Sequence, residues 1–99
     1  MIFINLDIFI DKVEFCVFKS ENHKKDYILN NKIIIPKSFN IGYKLNYIRK
    51  YIKTIINFHG IEFAYINIDD NAGINFTDIV KIEGVMEELF SNCGVIICK

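Results

Sequence analysis

The ten residues that open the chain, Met1 to Ile10 (MIFINLDIFI), are apolar, β-branched or aromatic except for Asn5 and Asp7. A run of this kind reads as an interior strand. A carboxylate inside such a strand costs several kcal/mol unless it is paired, neutralised or holding a cation, so Asp7 demands a chemical reason. Every other feature of the chain is weighed against that one acid.

Ninety-nine residues suffice for one domain with a real core and not for a second, so residues 1–99 are expected to form a single unit. A hydrophobic share of 52%, with 14% aromatic, excludes a disordered chain. Twelve Lys and Arg balance twelve Asp and Glu. That balance removes the global positive field by which many proteins grip nucleic acid, although a local basic patch can remain. Cysteines at 16, 93 and 98 form no C-x-x-C pair, which argues against a disulfide framework or zinc site and for small buried thiols in a reducing cytosol. No basic region precedes the apolar opening, and no apolar run approaches the roughly 18 residues that cross a bilayer. Neither signal peptide nor membrane span is expected, and the chain reads as cytoplasmic.

Ile10-Asp11-Lys12 reads as a turn into a second strand, Val13 to Lys19, which so short a link makes an antiparallel neighbour of the first. Ser20 to Lys25 (SENHKK) reads as a polar loop. Tyr27 to Ile35 is a third strand, with Asn30-Asn31 as a bulge or tight turn, stopped by Pro36. From Ile41 to Phe58 the period becomes helical: Leu45, Ile48, Ile52, Ile55 and His59 share a face, and Gly60 sits where a left-handed cap belongs. Ile61 to Asp69 returns to a strand, with Phe63, Tyr65, Asn67 and Asp69 on one face and Ala64, Ile66 and Ile68 on the other. A second helix, Thr77 to Asn92, carries the stripe Ile79, Ile82, Met86, Leu89 and Cys93; Asn75 or Thr77 caps it and Gly94 ends it. Gly84 within it is expected to permit close helix-to-sheet contact. Val95 to Cys98 is a last short strand.

The order β-β-β-α-β-α-β, with right-handed helical crossovers after a three-stranded meander, predicts an α/β fold with a mixed five-stranded sheet. The two most apolar strands, first and fourth, belong at its centre, which gives the spatial order 3-2-1-4-5 with helices packed on the sheet.

That order, with an acid in the first strand, resembles the ribonuclease H-like fold and in particular small RuvC-type resolvase domains. The resemblance spans nearly the whole chain. It rests on the opening I-N-L-D-x-x-x-x-x-V-x-F-x-V-F, the strand A-Y-I-N-I-D, and the helix K-I-E-G-V-M-E-E-L-F before G-V-I-I. In such nucleases, carboxylates from neighbouring strands and a late helix hold two divalent ions that activate water at a phosphodiester. The resemblance therefore implies Mg or Mn as cofactor, Asp7 as the first-strand acid, and Asn67 or Asp69 at the second-strand position. Asn67 brings no charge to a hard cation. Ile8-Phe9-Ile10 replaces the glycine-containing turn of resolvases, residues 41–58 contain no acid, and the sequence runs no further than the fifth strand, short of the closing helix that carries further acids in resolvases. The expectation is a catalytically degenerate site.

Asp7 and Asp69 are thus candidate catalytic residues, and Asp7, Asn67 and Asp69 candidate metal ligands. The plainer reading of Asp69 and Asp70 is a pair of loop acids near a helix N-terminus. Tyr43, Tyr47 and Tyr51 recur every fourth residue beside Lys44, Arg49, Lys50 and Lys53. Lys44, Tyr47, Lys50, Tyr51 and Lys53 are therefore candidate nucleic-acid contacts, since basic residues interleaved with aromatics can track phosphates and stack bases. With a neutral chain, the preferred reading is tyrosines shielding the core beneath a solvated basic face, and the same stripe suits a homodimer contact. His23 and His59 have no spaced partner, and no Walker loop, dinucleotide fingerprint or nucleophile elbow is present. The sequence points to a binding or assembly module without efficient catalysis; the alternative is a metal-dependent, Holliday-junction resolvase-like nuclease or nucleic-acid-binding protein.

Overall fold

Alternation along the first strand sets the architecture. In the computed structural model, which describes residues 1–69, 73 and 76–98, strand β1 (Ile2–Ile8) buries Ile4, Leu6 and Ile8 completely and turns Phe3, Asn5 and Asp7 to the opposite side. Strand β2 (Lys12–Glu21) runs antiparallel to it, with Ile4 opposite Val17, Leu6 opposite Phe15 and Ile8 opposite Val13. Strand β3 (Lys24–Ile34) continues the meander, and β4 (Phe63–Ile68) pairs parallel to the other edge of β1. A two-residue β5 (Ile96–Ile97) lies parallel to β4. The sheet order is β3-β2-β1-β4-β5, as the sequence predicts.

Helices α1 (Ile41–His59) and α2 (Phe76–Asn92) supply the covering layer. Ile48, Ile52, Ile55 and Ile56 of α1 and Ile79, Ile82, Met86, Leu89 and Phe90 of α2 join Ile4, Leu6, Val13, Phe15, Ile33 and Ala64 in one cluster. The Phe15 ring meets Tyr51 edge-on at 5.9 Å, which fixes α1 over the β2–β3 half of that face. The Asn40 side chain accepts the Tyr43 N–H at 3.0 Å at one end of α1, and Gly60, at φ 64°, closes the other with its N–H on the Ile56 carbonyl.

Four local expectations are corrected. The loop expected over Ser20–Lys25 is a two-residue turn, Asn22-His23, both with positive φ (50° and 67°), so the hairpin strands run longer than expected. Two left-handed residues match the twist of the flanking strands, and Asn tolerates that conformation. Irregular pairing falls between Val17 and Phe18, opposite Ile28, while Asn30 and Asn31 pair regularly with Cys16 and Phe15. Thr77 lies inside α2 and does not cap it; Asn75 lies outside the described residues, as does Asp70. Gly84 is exposed, and a Cβ built on it meets nothing within 4 Å, so it makes no close contact.

A fifth correction concerns Asp7 itself. No polar or charged side chain among the described residues is fully buried, and Asp7 is only half-buried. Its odd position in a strand whose even positions fill the core turns it to the face that neither helix covers. The cysteines are likewise half-buried, each a free thiol.

Candidate functional site

The parallel pair β1 and β4 brings Asp7 directly beside Asn67, and the N–H of Asp69 extends the pairing by donating to the Ile8 carbonyl at 3.0 Å. Asp7, Ile8, Phe9, Asn67, Ile68 and Asp69 line a crevice of about 50 Å³ at the carboxyl ends of these strands. Open α/β sheets commonly bind ligands at such an end. The three candidate ligands predicted from sequence are therefore brought together in one place.

Hydrogen bonding defines what that place can do. Asn67 Nδ2 donates to Asn5 Oδ1 at 3.1 Å and to the Leu6 carbonyl at 3.3 Å, and Asn5 Nδ2 donates to Asp7 Oδ2 at 3.3 Å. An amide chain thus runs from β4 to β1 and ends on the carboxylate, giving it the partner that its half-burial requires. On the other flank, Asp7 stands opposite Glu14 of β2. Like charges directly across a ladder repel, and Lys12 relieves this one by holding Glu14 Oε1 at 3.0 Å, with Lys32 opposite Glu14 on β3. The same contact with Glu14 raises the pKa of Lys12.

This donor set does not fit a two-cation centre. Divalent Mg or Mn is held by several hard oxygens, mostly carboxylates. Here Asn67 turns donor N–H groups toward the strand, and among the described residues no three His, Cys, Asp or Glu side chains gather to hold a metal. Sequence reasoning overlooked Asn5 and Glu14, although the i, i+2 spacing of Asn5 and Asp7 already places them on one face.

The candidates on α1 lie elsewhere. Tyr47 and Tyr51 are pinned by rings, Tyr47 edge-on to Phe39 at 5.6 Å and Tyr51 to Phe15, and with Lys50 and Thr54 they border a shallow concavity of about 260 Å³. Lys50 and Lys53 are exposed and Lys44 half-buried. Because α1 packs on the core face and Asp7 projects from the opposite one, the two candidate sets do not form a common site.

The topology is that of the ribonuclease H-like fold. No protein-family model matches the sequence, and no curated protein matches it. Solved structures do: RuvC of Thermus thermophilus in complex with a Holliday junction substrate superposes with TM-score 0.85 over 98% of this chain at 11% identity, and RuvC of the same organism in a second structure gives 0.81, also at 11%. The chain spans 63% and 59% of those two RuvC chains. A Ppx/GppA family protein of Aquifex aeolicus matches with TM-score 0.62 at 15% identity, over 98% of this chain and 34% of that one. At such identities the likeness is one of fold. No helix among the described residues is long and apolar enough to cross a membrane.

Proposed function

We propose that residues 1–99 form one RuvC-like domain that works as a binding or assembly module, having lost the metal chemistry of a resolvase. The observation that carries this reading is Asn67: an amide stands beside Asp7 in the parallel register and donates into the strand. A carboxylate there would offer a cation negative oxygen; an amide offers neither charge nor a second acidic ligand. Three free thiols suit a reducing cytosol, where we place the protein.

Isothermal calorimetry with MgCl2 and MnCl2 tests the reading. The expected result is no saturable binding up to millimolar metal and no cutting of a four-way DNA junction, with Asn67→Asp gaining measurable Mn binding. Micromolar to millimolar binding by the wild type that disappears in Asp7→Asn would overturn it.

A second reading, nucleic-acid binding through α1, is favoured by the absence of any acid in Ile41–His59 beside Lys44, Lys50 and Lys53, and by the junction-bound RuvC neighbour. Affinity for branched or single-stranded DNA should then fall steeply with salt, and Lys50→Ala with Lys53→Ala should flatten the log-log slope by about two. Absent binding at low salt would dismiss it.

A further inference from the structure

Charge is spread unevenly over a chain that is neutral as a whole. The stretch from Lys24 to His59, which holds β3 and α1, carries eight of the twelve Lys and Arg but only one of the twelve Asp and Glu, Asp26. In the sheet, β3 is the edge strand on the side away from β5. A groove runs between it and α1: Leu29 and Asn31 of β3 face Tyr51, Thr54 and Ile55 of α1 around about 320 Å³. Past Tyr51 and Thr54 the space continues into the concavity of about 260 Å³ beside Tyr47 and Lys50.

Among the described residues no strand pairs with the outer edge of β3. The Ile35 N–H donates to the Asp11 carbonyl at 2.9 Å, and alternation along an antiparallel ladder then turns the N–H and C=O of Ile34, Lys32 and Asn30 away from β2. Of these, the Lys32 N–H is held by the neighbouring Asn31 side chain at 2.8 Å. Asn31 thus shields one rim donor while lining the groove, where its amide can give way to a main-chain carbonyl. A rim of this kind is a template for one more strand. Irregular pairing around Ile28 breaks it toward the hairpin and leaves residues 29–34, the part beside the groove, as the template.

We propose that this rim and groove take an extended acidic peptide, which pairs with β3 as a further strand and sets every second side chain, apolar, against Leu29, Tyr51 and Ile55. Lys50 lines the groove and Lys32 projects from the other face of the strand, and neither makes an ion pair among the described residues. The nearby acids do not offset them: Glu14 is held by Lys12 at 3.0 Å, and Asp26 stands opposite Lys19, past the irregular pairing. The excess of cations in this half of the molecule steers an acidic partner toward the edge. Nucleic acid fits less well. A phosphate track needs several cations in line, whereas Arg49 is drawn to Glu88 of α2 and Lys25 lies over the Phe18 ring on the opposite face of the sheet. Unpaired main chain beside an apolar trough is the complement of another main chain. The inference rests on the reading of the chain as a binding module and gives that module's partner its chemistry.

Selection of short random peptides displayed on phage against the full chain tests it, followed by fluorescence anisotropy with labelled copies of the selected peptides. Enrichment of sequences that alternate apolar residues with Asp or Glu is expected. Lys32→Pro removes a rim N–H without touching the ladder to β2 and should weaken binding at least about tenfold, whereas Lys32→Ala, which keeps that N–H, should weaken it less than about threefold. Thr54→Glu, at an exposed helical position, sets an acid in the groove and should also weaken binding at least about tenfold. Methylating every second amide of the peptide should abolish binding in one phase and spare it in the other, a measurement that serves in place of Lys32→Pro if circular dichroism shows that variant unfolded. No enrichment, enrichment without the alternating pattern, or binding indifferent to Lys32→Pro, Thr54→Glu and amide methylation would overturn the proposal. So would a groove that takes single-stranded oligonucleotide more tightly than any selected peptide, or self-association abolished by Lys32→Pro, which would put a second copy of the chain on the edge. Metal binding in the calorimeter would overturn the reading of a module without metal chemistry and leave the peptide result standing, so the two failures are told apart.

Discussion

Asp7 and Gly84 show how far one residue's meaning depends on the direction it faces. Asp7 is tolerated because it points away from the core and receives the Asn5 amide, which replaces the solvation lost by half-burial. Gly84 occupies an exposed helical position with open space around its Cα, so only its backbone freedom matters. Gly84→Ala should stabilise the fold by about 0.5–1 kcal/mol, read from the shift of a urea denaturation midpoint at unchanged slope. Cys16 carries a pH dependence. Burial pushes its thiol pKa up, with a backbone hydrogen bond from Asn5 pulling the other way. A thiol that ionises less readily folded than unfolded supports the fold at neutral pH, and that support is lost as pH climbs through the thiol range. Urea titrations at neutral and alkaline pH should therefore show a loss of stability that is smaller in Cys16→Ala, and alkylation of native Cys16 should need higher pH than alkylation in urea.

At the scale of elements, the ends are set by local chemistry and the lengths by pairing. Strand β2 runs to Glu21 because β3 pairs with it as far as Lys24, which leaves Asn22 and His23 to reverse the chain. His23 sits at φ 67°, where a β-carbon is crowded. His23→Gly should relieve that and raise the thermal midpoint by a shift equivalent to roughly 0.5–1 kcal/mol, the gain in strain offset in part by the freedom glycine brings to the unfolded chain. An unchanged or lower midpoint would show that the turn is not strained. Between the helices, Arg49 reaches Glu88 at 3.5 Å, but both side chains are substantially exposed and such a pair contributes little. The helices are held by their isoleucine faces.

For the molecule as a whole, stability resides in one layer of side chains trapped between two helices and one side of a five-stranded sheet. Leu6 is central to it, fully buried on the middle strand between Phe15 and Ile66 of the adjacent strands. Leu6→Ala should cost about 2–5 kcal/mol, measured by denaturant unfolding, whereas Asn5→Ala on the other face should cost no more than about 1–2 kcal/mol from the lost amide bridge. Equal costs would mean that the two faces are equally buried, contrary to this architecture.

Strand order, the extents of both helices to within a residue, and the pairing of β1 with β4 were legible in the sequence. They follow from hydrophobic period, from Gly60 and Gly94 as helix stops, and from the rule that short links give antiparallel neighbours while helical crossovers give parallel ones. Period also assigns Asn67 and Asp69 to one face. Which side the helices choose is a different matter, because Phe3, Phe18, Phe63 and Tyr65 are as hydrophobic as the residues that form the core. Only packing decided that Ile4, Leu6 and Ile8 go under the helices, leaving the rings, Asp7 and Asn67 together on the bare face. Periodicity is a property of one strand, whereas the choice of face belongs to all the strands at once.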